Sequence, residues 1–398
     1  MNGGPLSGIR IADFCWVGAG SYATKLLADQ GADVIKIESS ARIDGIRLSP
    51  PFAGGEPGVN RSGYFADRNT SKRSCTINMK TEEGRRVARA LVARSDVVAN
   101  SFTPGVMAKF GLAWEDVQAL NPRAVYLAMS MQGDGGPERD YLGYGLTISA
   151  LVGLHGMTRL PGELPVGTGT NYPDHIPNPT HAAFAVLAAL RHVRRTGEGQ
   201  YIDLAQTEAT ISVLGTAMLD AAVHGRDPEP LGNDHPAHVP HGVYRTAGDD
   251  RWIAIAVTND EQAAALVEVL GLDMDPSSRR TDRLRVGDLV AARVAGEDHL
   301  DLALRLQAVG VPAAPVHDAE GVVDRDPQLA GRRHWVRLHH DEMGETLYNN
   351  LPFRFSATPT ELTIQAPKLG EHTVEVCRDV LGMDEVEIDR LVADGALA

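Results

Sequence analysis

Short apolar blocks alternate along the N-terminal half with segments of helical period. Gly8 to Phe14 (GIRIADF) alternates apolar and polar residues and predicts a strand. Gly18 and Gly20 break it. Ser21 then stands where a helix cap is favoured, and the helix is predicted to run to about Gln30, with Ala23, Leu26 and Leu27 on one face and Gly31 as its stop. Ala32 to Glu38 (ADVIKIE) predicts a second, mostly buried strand. The unit recurs: a strand at Cys75–Met79, a helix at Thr81–Ser95, a strand at Asp96–Asn100, mostly helix over Val106–Ala119, and a strand at Ala124–Ser130. Strands that alternate with helices and read as apolar runs predict a parallel sheet covered on both faces, an α/β fold.

A long Ala- and Leu-rich helix follows at Pro179–Arg194. Asn178 is expected as its cap and Pro179 as its first residue, which leaves Asp174 outside it. Arg191, Arg194 and Arg195 suit its C-terminal dipole, and Gly197 ends it. After about residue 225 the texture changes to a Pro- and His-rich loop, residues 227–242, then a strand at 251–257 and helical pieces to about 310. From there the chain returns through Pro-rich text to short strands and a final helix. The expected organisation is a large domain over residues 1–215, a small domain over 225–315, and a return to the large domain over 325–398.

Composition narrows the function. The 398 residues are 43% hydrophobic and 23% charged, which is globular, and the formal charge of −14 with no basic run excludes phosphate-driven nucleic-acid binding. No apolar run is long enough to span a bilayer, and Met1 to Arg10 shows no signal-peptide pattern. Three dispersed cysteines (Cys15, Cys75 and Cys377) argue against a disulfide framework and fit a reducing, cytoplasmic setting.

Two motifs invite chemistry and do not sustain it. Gly18-Ala19-Gly20-Ser21-Tyr22-Ala23 fits the dinucleotide pattern G-x-G-x-x-A, and Glu38 lies 20 residues beyond Gly18, where a ribose-binding acid would stand. However, Asp13, Cys15 and Trp16 interrupt the apolar approach to the first glycine, so an NAD-binding protein is only an alternative. His235, His238 and His241 are spaced by three, but Pro236 and Pro240 forbid a regular helix, and no metal site is expected. Neither a G-x-S-x-G elbow nor a Walker loop is present.

The chain as a whole resembles the class III CoA-transferase family, which includes formyl-CoA transferase, carnitine CoA-transferase and α-methylacyl-CoA racemase. The resemblance is carried by ordered blocks: LSGIRIADF…GAGSYATKLLADQGADVIKIE, RNTSKRSCTINMKTEEGR, NSFTPGVMAKFGL, ALNPRAVYLAMSMQGDGGP, LAALRHVRRTGEGQYIDLAQTEA and APKLGEHT. It implies a Rossmann-like large domain that binds CoA, a smaller α/β domain, and a homodimer of interlocked rings. It implies that coenzyme A is a substrate, with no permanently bound cofactor.

By the same resemblance Asp174 is the catalytic nucleophile, and it is the one carboxylate between Glu163 and Glu198. Val17 and Gly18 match the turn at the CoA thiol, and Lys72 and Arg73 the basic pair beside the nucleotide. Phe102 and Lys109 match an aromatic and a basic contact. Ser101 and Lys109 depart from the Asn and Arg the family usually has there. Arg42 or Arg47 would add charge compensation for the CoA phosphates. The loop Asn233–Gly242 stands where the transferase often carries a glycine-rich flap. The expected reaction moves CoA from an acyl-CoA to a carboxylic acid through a mixed anhydride and an aspartyl-CoA thioester. Racemisation is the alternative within the family. It needs a second acid/base group, and the racemase's His-Asp pair is here Tyr144-Gly145.

Overall fold

Strands β1 (Arg10–Asp13), β2 (Asp33–Glu38), β3 (Arg73–Thr76), β4 (Val97–Asn100), β5 (Val125–Ala128) and β6 (Gln200–Asp203) lie in one sheet in the order β3-β2-β1-β4-β5-β6. All pairings are parallel. The arrangement is observed in a computed structural model that describes residues 3–227 and 229–398. Because side chains alternate across a strand, neighbours divide between two cores. Ile11, Val34 and Val97 pack with Ala23, Leu27 and Val186 on one face. Ala12, Ile35 and Val98 pack on the other with Val87, Leu91 and residues from the chain's end, Val376 and Leu391. Burial on both faces explains why the strands read as apolar runs.

Several boundaries differ from the sequence expectation. The first helix is Ala19–Ala28 and begins two residues before Ser21, with Gly18 as its cap. Ser21 is buried, and its hydroxyl bonds the Cys15 carbonyl rather than capping. The long helix is Pro177–Thr196, so Asn178 lies in its first turn and gives its side chain to Gln206 at 3.1 Å. Gly197 ends this helix in the left-handed conformation, φ 82°. The segment Val106–Ala119 divides into a 3₁₀ turn at Met107–Phe110 and a helix at Trp114–Leu120. Strand β6 is absent from the sequence reading.

Two compact units are distinguished. The larger holds the described residues up to His155, then Gly167–Asp227 and Arg333–Ala398. Besides the sheet it carries an antiparallel hairpin, β10 (Trp335–His340) and β11 (Gly344–Asn349). The smaller holds Gly156–Val166 and the described residues from 229 to Arg332. Its antiparallel sheet, β7 (His241–Arg245), β8 (Trp252–Ala256) and β9 (Ala313–Val316), packs Ile253 and Ile255 against Leu266, Val290 and Leu302 of three helices. Among the described residues no helix is long and apolar enough to cross a membrane.

Candidate active site

In an open parallel sheet the strand order reverses at one point, here between β1 and β4, and the loops leaving the strand ends part there to form a crevice. A cavity of about 460 Å³ occupies that place in the larger unit. Its walls come from the loops that follow the strands: Trp16 to Gly20 after β1, Ile77 to Lys80 after β3, Ser101 to Thr103 after β4, and Ser130 and Met131 after β5. Trp16 and Phe102 meet edge to face, ring centroids 5.8 Å apart.

Asp174 opens into this cavity from the short helical turn Tyr172–His175, and it is 4% exposed. Among the described residues its carboxylate has one hydrogen bond, accepted by Oδ2 from the Gly145 N–H at 3.3 Å. Two glycines flank it closely. A Cβ on Gly18 would stand 2.8 Å from Oδ2 and one on Gly145 would stand 2.7 Å from it, so any side chain at either position displaces the carboxylate. The same contact explains the early helix start. Gly18 caps the helix without a side chain, and the Asp174 carboxylate lies against that N-terminus, where negative charge is favoured.

Burial pushes the Asp174 pKa up to about 6, against the opposing pull of the Gly145 N–H and the Arg68 charge. Next to it His175 is pushed down to about 4, by burial first and then by Arg68. The Arg68 guanidinium lies against the His175 ring and between the Tyr22 and Tyr64 rings, at 5.0 and 4.8 Å from their centroids. His175 is therefore neutral at physiological pH, and Asp174 is the group of this cluster that titrates near 6.

Of the residues singled out in the sequence, Val17, Gly18, Phe102 and Asp174 line the cavity together, and Lys72, Arg73 and Lys109 do not. Lys72 is fully buried behind the first loop. Its Nζ donates to Asp13 Oδ2, the Ser21 carbonyl, Thr24 Oγ1 and Asn69 Oδ1, all within 2.7–3.0 Å. Arg73 is paired with Asp33 and Glu375. Lys109 is exposed on the 3₁₀ turn whose neighbours Val106 and Phe110 reach the cavity. The cations at the rim are instead Arg42, over the Trp16 ring at 5.4 Å, and Lys80.

Arg47 is not at the rim, because it is buried in a two-pronged pair with Glu38, both contacts 2.8 Å. Glu38 also accepts from Ser74 Oγ at 2.6 Å. Burial would raise its pKa, but Arg47, Lys36 and Ser74 hold it below the usual carboxylate range. Three of the carboxylate's acceptor sites are thus taken by Arg47 and Ser74, which weakens the case for Glu38 as the acid of the dinucleotide pattern.

Sequence reasoning missed Trp16, Lys80 and Gly145. Lys80 had a usable signal, a cation just after a buried strand end. Gly145 had none, because its role depends on meeting a residue 29 positions away. In the smaller unit His235, His238 and His241 cluster ring on ring, the first two 4.0 Å apart. Among the described residues no group of three such side chains converges as a metal site. Pro228, in the same loop, lies outside the described residues.

The family model for CoA-transferase family III matches residues 6–373. The chain is 34% identical to succinate–glutarate CoA-transferase of Agrobacterium fabrum, over 94% of this chain and 96% of that protein. It is 32% identical to the beta subunit of succinyl-CoA–L-malate CoA-transferase of Chloroflexus aurantiacus, over 97% and 96%. The crystal structure of a CAIB/BAIF family protein from Brucella suis superposes with a TM-score of 0.86 at 31% identity, covering 96% of this chain and all of that one.

Proposed function

The chain belongs to CoA-transferase family III and is an acyl-CoA:carboxylate CoA-transferase, and we propose that it moves coenzyme A through covalent adducts on Asp174. The observation that carries this reading is the carboxylate itself. It is buried, weakly hydrogen-bonded, set between two glycines and open to a cavity at the sheet's switch point. A poorly solvated carboxylate is a stronger nucleophile than one satisfied by water.

Asp174 attacks the thioester carbonyl of the donor, the C–S bond breaks, and CoA leaves as the thiolate. The thiolate attacks Cγ of the resulting mixed anhydride, releasing the donor acid and leaving an aspartyl-CoA thioester. The acceptor carboxylate repeats the sequence in reverse and regenerates Asp174. When Cγ is attacked, charge builds on the aspartyl oxygen that faces the Gly145 N–H, which serves as oxyanion donor. Val17, Gly18 and Phe102 line the path of the CoA thiol arm, and Arg42 and Lys80, exposed at the rim, meet its phosphates. The Agrobacterium and Chloroflexus relatives are named for succinate, glutarate and L-malate, and we take short dicarboxylic acids as this enzyme's substrate class. Three buried free cysteines fit a cytoplasmic setting.

Trapping tests the mechanism. Donor acyl-CoA together with hydroxylamine is expected to convert Asp174, and no other carboxylate, to the hydroxamate, seen as a mass change on its peptide. Modification that ignores the presence of donor, or that spares Asp174, removes the covalent route.

A homodimer of interlocked rings belongs to the same proposal. Phe184, 73% exposed, and Leu187 lie uncovered on the helix Pro177–Thr196, and Leu219 and Val223 on the helix Gly215–His224, which supports burial against a second copy. Linked rings cannot separate without opening, so light scattering should return the dimer mass at every dilution short of unfolding. A folded monomer at low concentration rules the interlock out.

A further inference from the structure

We propose that the buried Lys36–Asp44 ion pair is a positioning pair for the substrate turn, holding Val17 in a left-handed backbone conformation and thereby fixing Gly18 against Asp174. The inference rests on the reading of Asp174 given above. Val17 has φ 62°. A β-branched residue there is a true outlier, and such strain persists only where the surroundings over-determine it.

The surroundings do so residue by residue. The Val17 N–H donates to Asp44 Oδ1 at 3.1 Å, and the same oxygen accepts from the Ile46 N–H at 3.3 Å. The other Asp44 oxygen pairs with Lys36 Nζ at 2.9 Å, both side chains fully buried. Lys36 Nζ reaches back to the Cys15 carbonyl at 2.7 Å, and Trp16 is tied through its N–H and carbonyl to Ser101 Oγ, both at 3.1 Å. Three consecutive residues are thus anchored immediately before Gly18, whose missing side chain leaves the room that Asp174 occupies. A buried ion pair adds little stability over apolar residues of the same volume, and a strained valine subtracts from it. Their coincidence at the wall of the catalytic cavity is accounted for by placement of the turn.

A double-mutant cycle on the full-length enzyme tests this. Glycine adopts a positive φ without support. Replacing the pair together (Lys36→Met with Asp44→Leu) strands no charge, and it is expected to lower kcat about ten- to a hundredfold in the Val17 chain, the range that release of one strained residue gives. In a Val17→Gly chain the same replacement is expected to cost less than about threefold relative to Val17→Gly alone. Equal losses in the two chains overturn the proposal and leave the pair a packing feature. If the double replacement does not fold, Asp44→Asn is read through the same cycle, and equal losses again overturn it. Asp174→Asn, assayed alongside, separates the two levels. Retained transfer there defeats the reading of Asp174, whereas an inactive Asp174→Asn with equal losses in the cycle defeats this inference alone.

Discussion

Asp174→Asn is expected to lose CoA transfer by at least about 10³-fold and at the same time to stabilise the folded protein at pH 8. The activity loss follows from chemistry, since an amide oxygen does not form the anhydride. The stability gain follows from the buried charge. The Asp174 pKa stands near 6 in the fold against 3.8 in its absence. A folded pKa above the unfolded one means that the folded state holds the proton more tightly. The penalty is therefore absent below pH 3.8, grows between 3.8 and about 6, and is fully present above. That difference corresponds to about 3 kcal/mol at pH 8, little reduced by solvent because the residue is 4% exposed. Asn keeps the size and can accept from Gly145 without that penalty. Melting in buffers from pH 4 to 8 should show the variant's advantage appear as pH rises. In the unaltered enzyme kcat/KM should fall tenfold per pH unit below about 6, as the carboxylate takes up its proton. His175, pushed down to about 4, stays mostly neutral over the upper part of that limb, from pH 6 to about pH 5. Near-normal transfer by Asp174→Asn sinks the mechanism, and an unchanged melting profile sinks the account of the buried anion.

Lys72→Met should cost about 3–5 kcal/mol of stability, the usual consequence of removing one member of a buried ion pair. Burial already pulls the Lys72 pKa below its usual value, with Asp13 opposing, so the pair itself is no large asset. The cost arises because Asp13, also fully buried, loses its ion-pair partner and, among the described residues, keeps hydrogen bonds from the Cys15 N–H and the Thr24 hydroxyl. Changing both residues (Lys72→Met with Asp13→Leu) should recover most of the loss. The folded Lys72→Met protein, measured well below its melting point, should bind CoA within about threefold of normal. Arg42→Ala or Lys80→Ala should weaken binding about tenfold each, as expected for loss of a phosphate contact. If Lys72→Met proved stable and CoA-deficient, the cation would belong to the ligand after all.

Local sequence was sufficient for the fold class, though not for every element, since strand β6 went unread. Runs such as DVIKIE and DVVAN can be buried on both faces only in a parallel sheet, and the helical period between them requires crossovers, so the α/β class was legible from adjacent residues. The long Ala-rich helix and its stop at Gly197 were legible for the same reason, because period and a left-handed glycine are local properties. Asp174 was singled out through the order of its neighbours along the chain, and the fold brings it to the cavity wall. The uses of the charged residues were not legible.

Lys72 and Glu38 stand in segments that read like ligand contacts, yet Asp13, 59 residues before Lys72, and Arg47, nine after Glu38, consume them. Gly145 looks like an unremarkable glycine until the fold brings Asp174 against it, and Val17 carries no mark of its backbone conformation. Secondary structure is decided by propensities and periodicities that act over a few residues. The state of a side chain is decided by whether burial finds it a partner, and that partner can come from anywhere in the chain, so only the tertiary structure determined which charges were spent on the fold and which stayed exposed at the cavity.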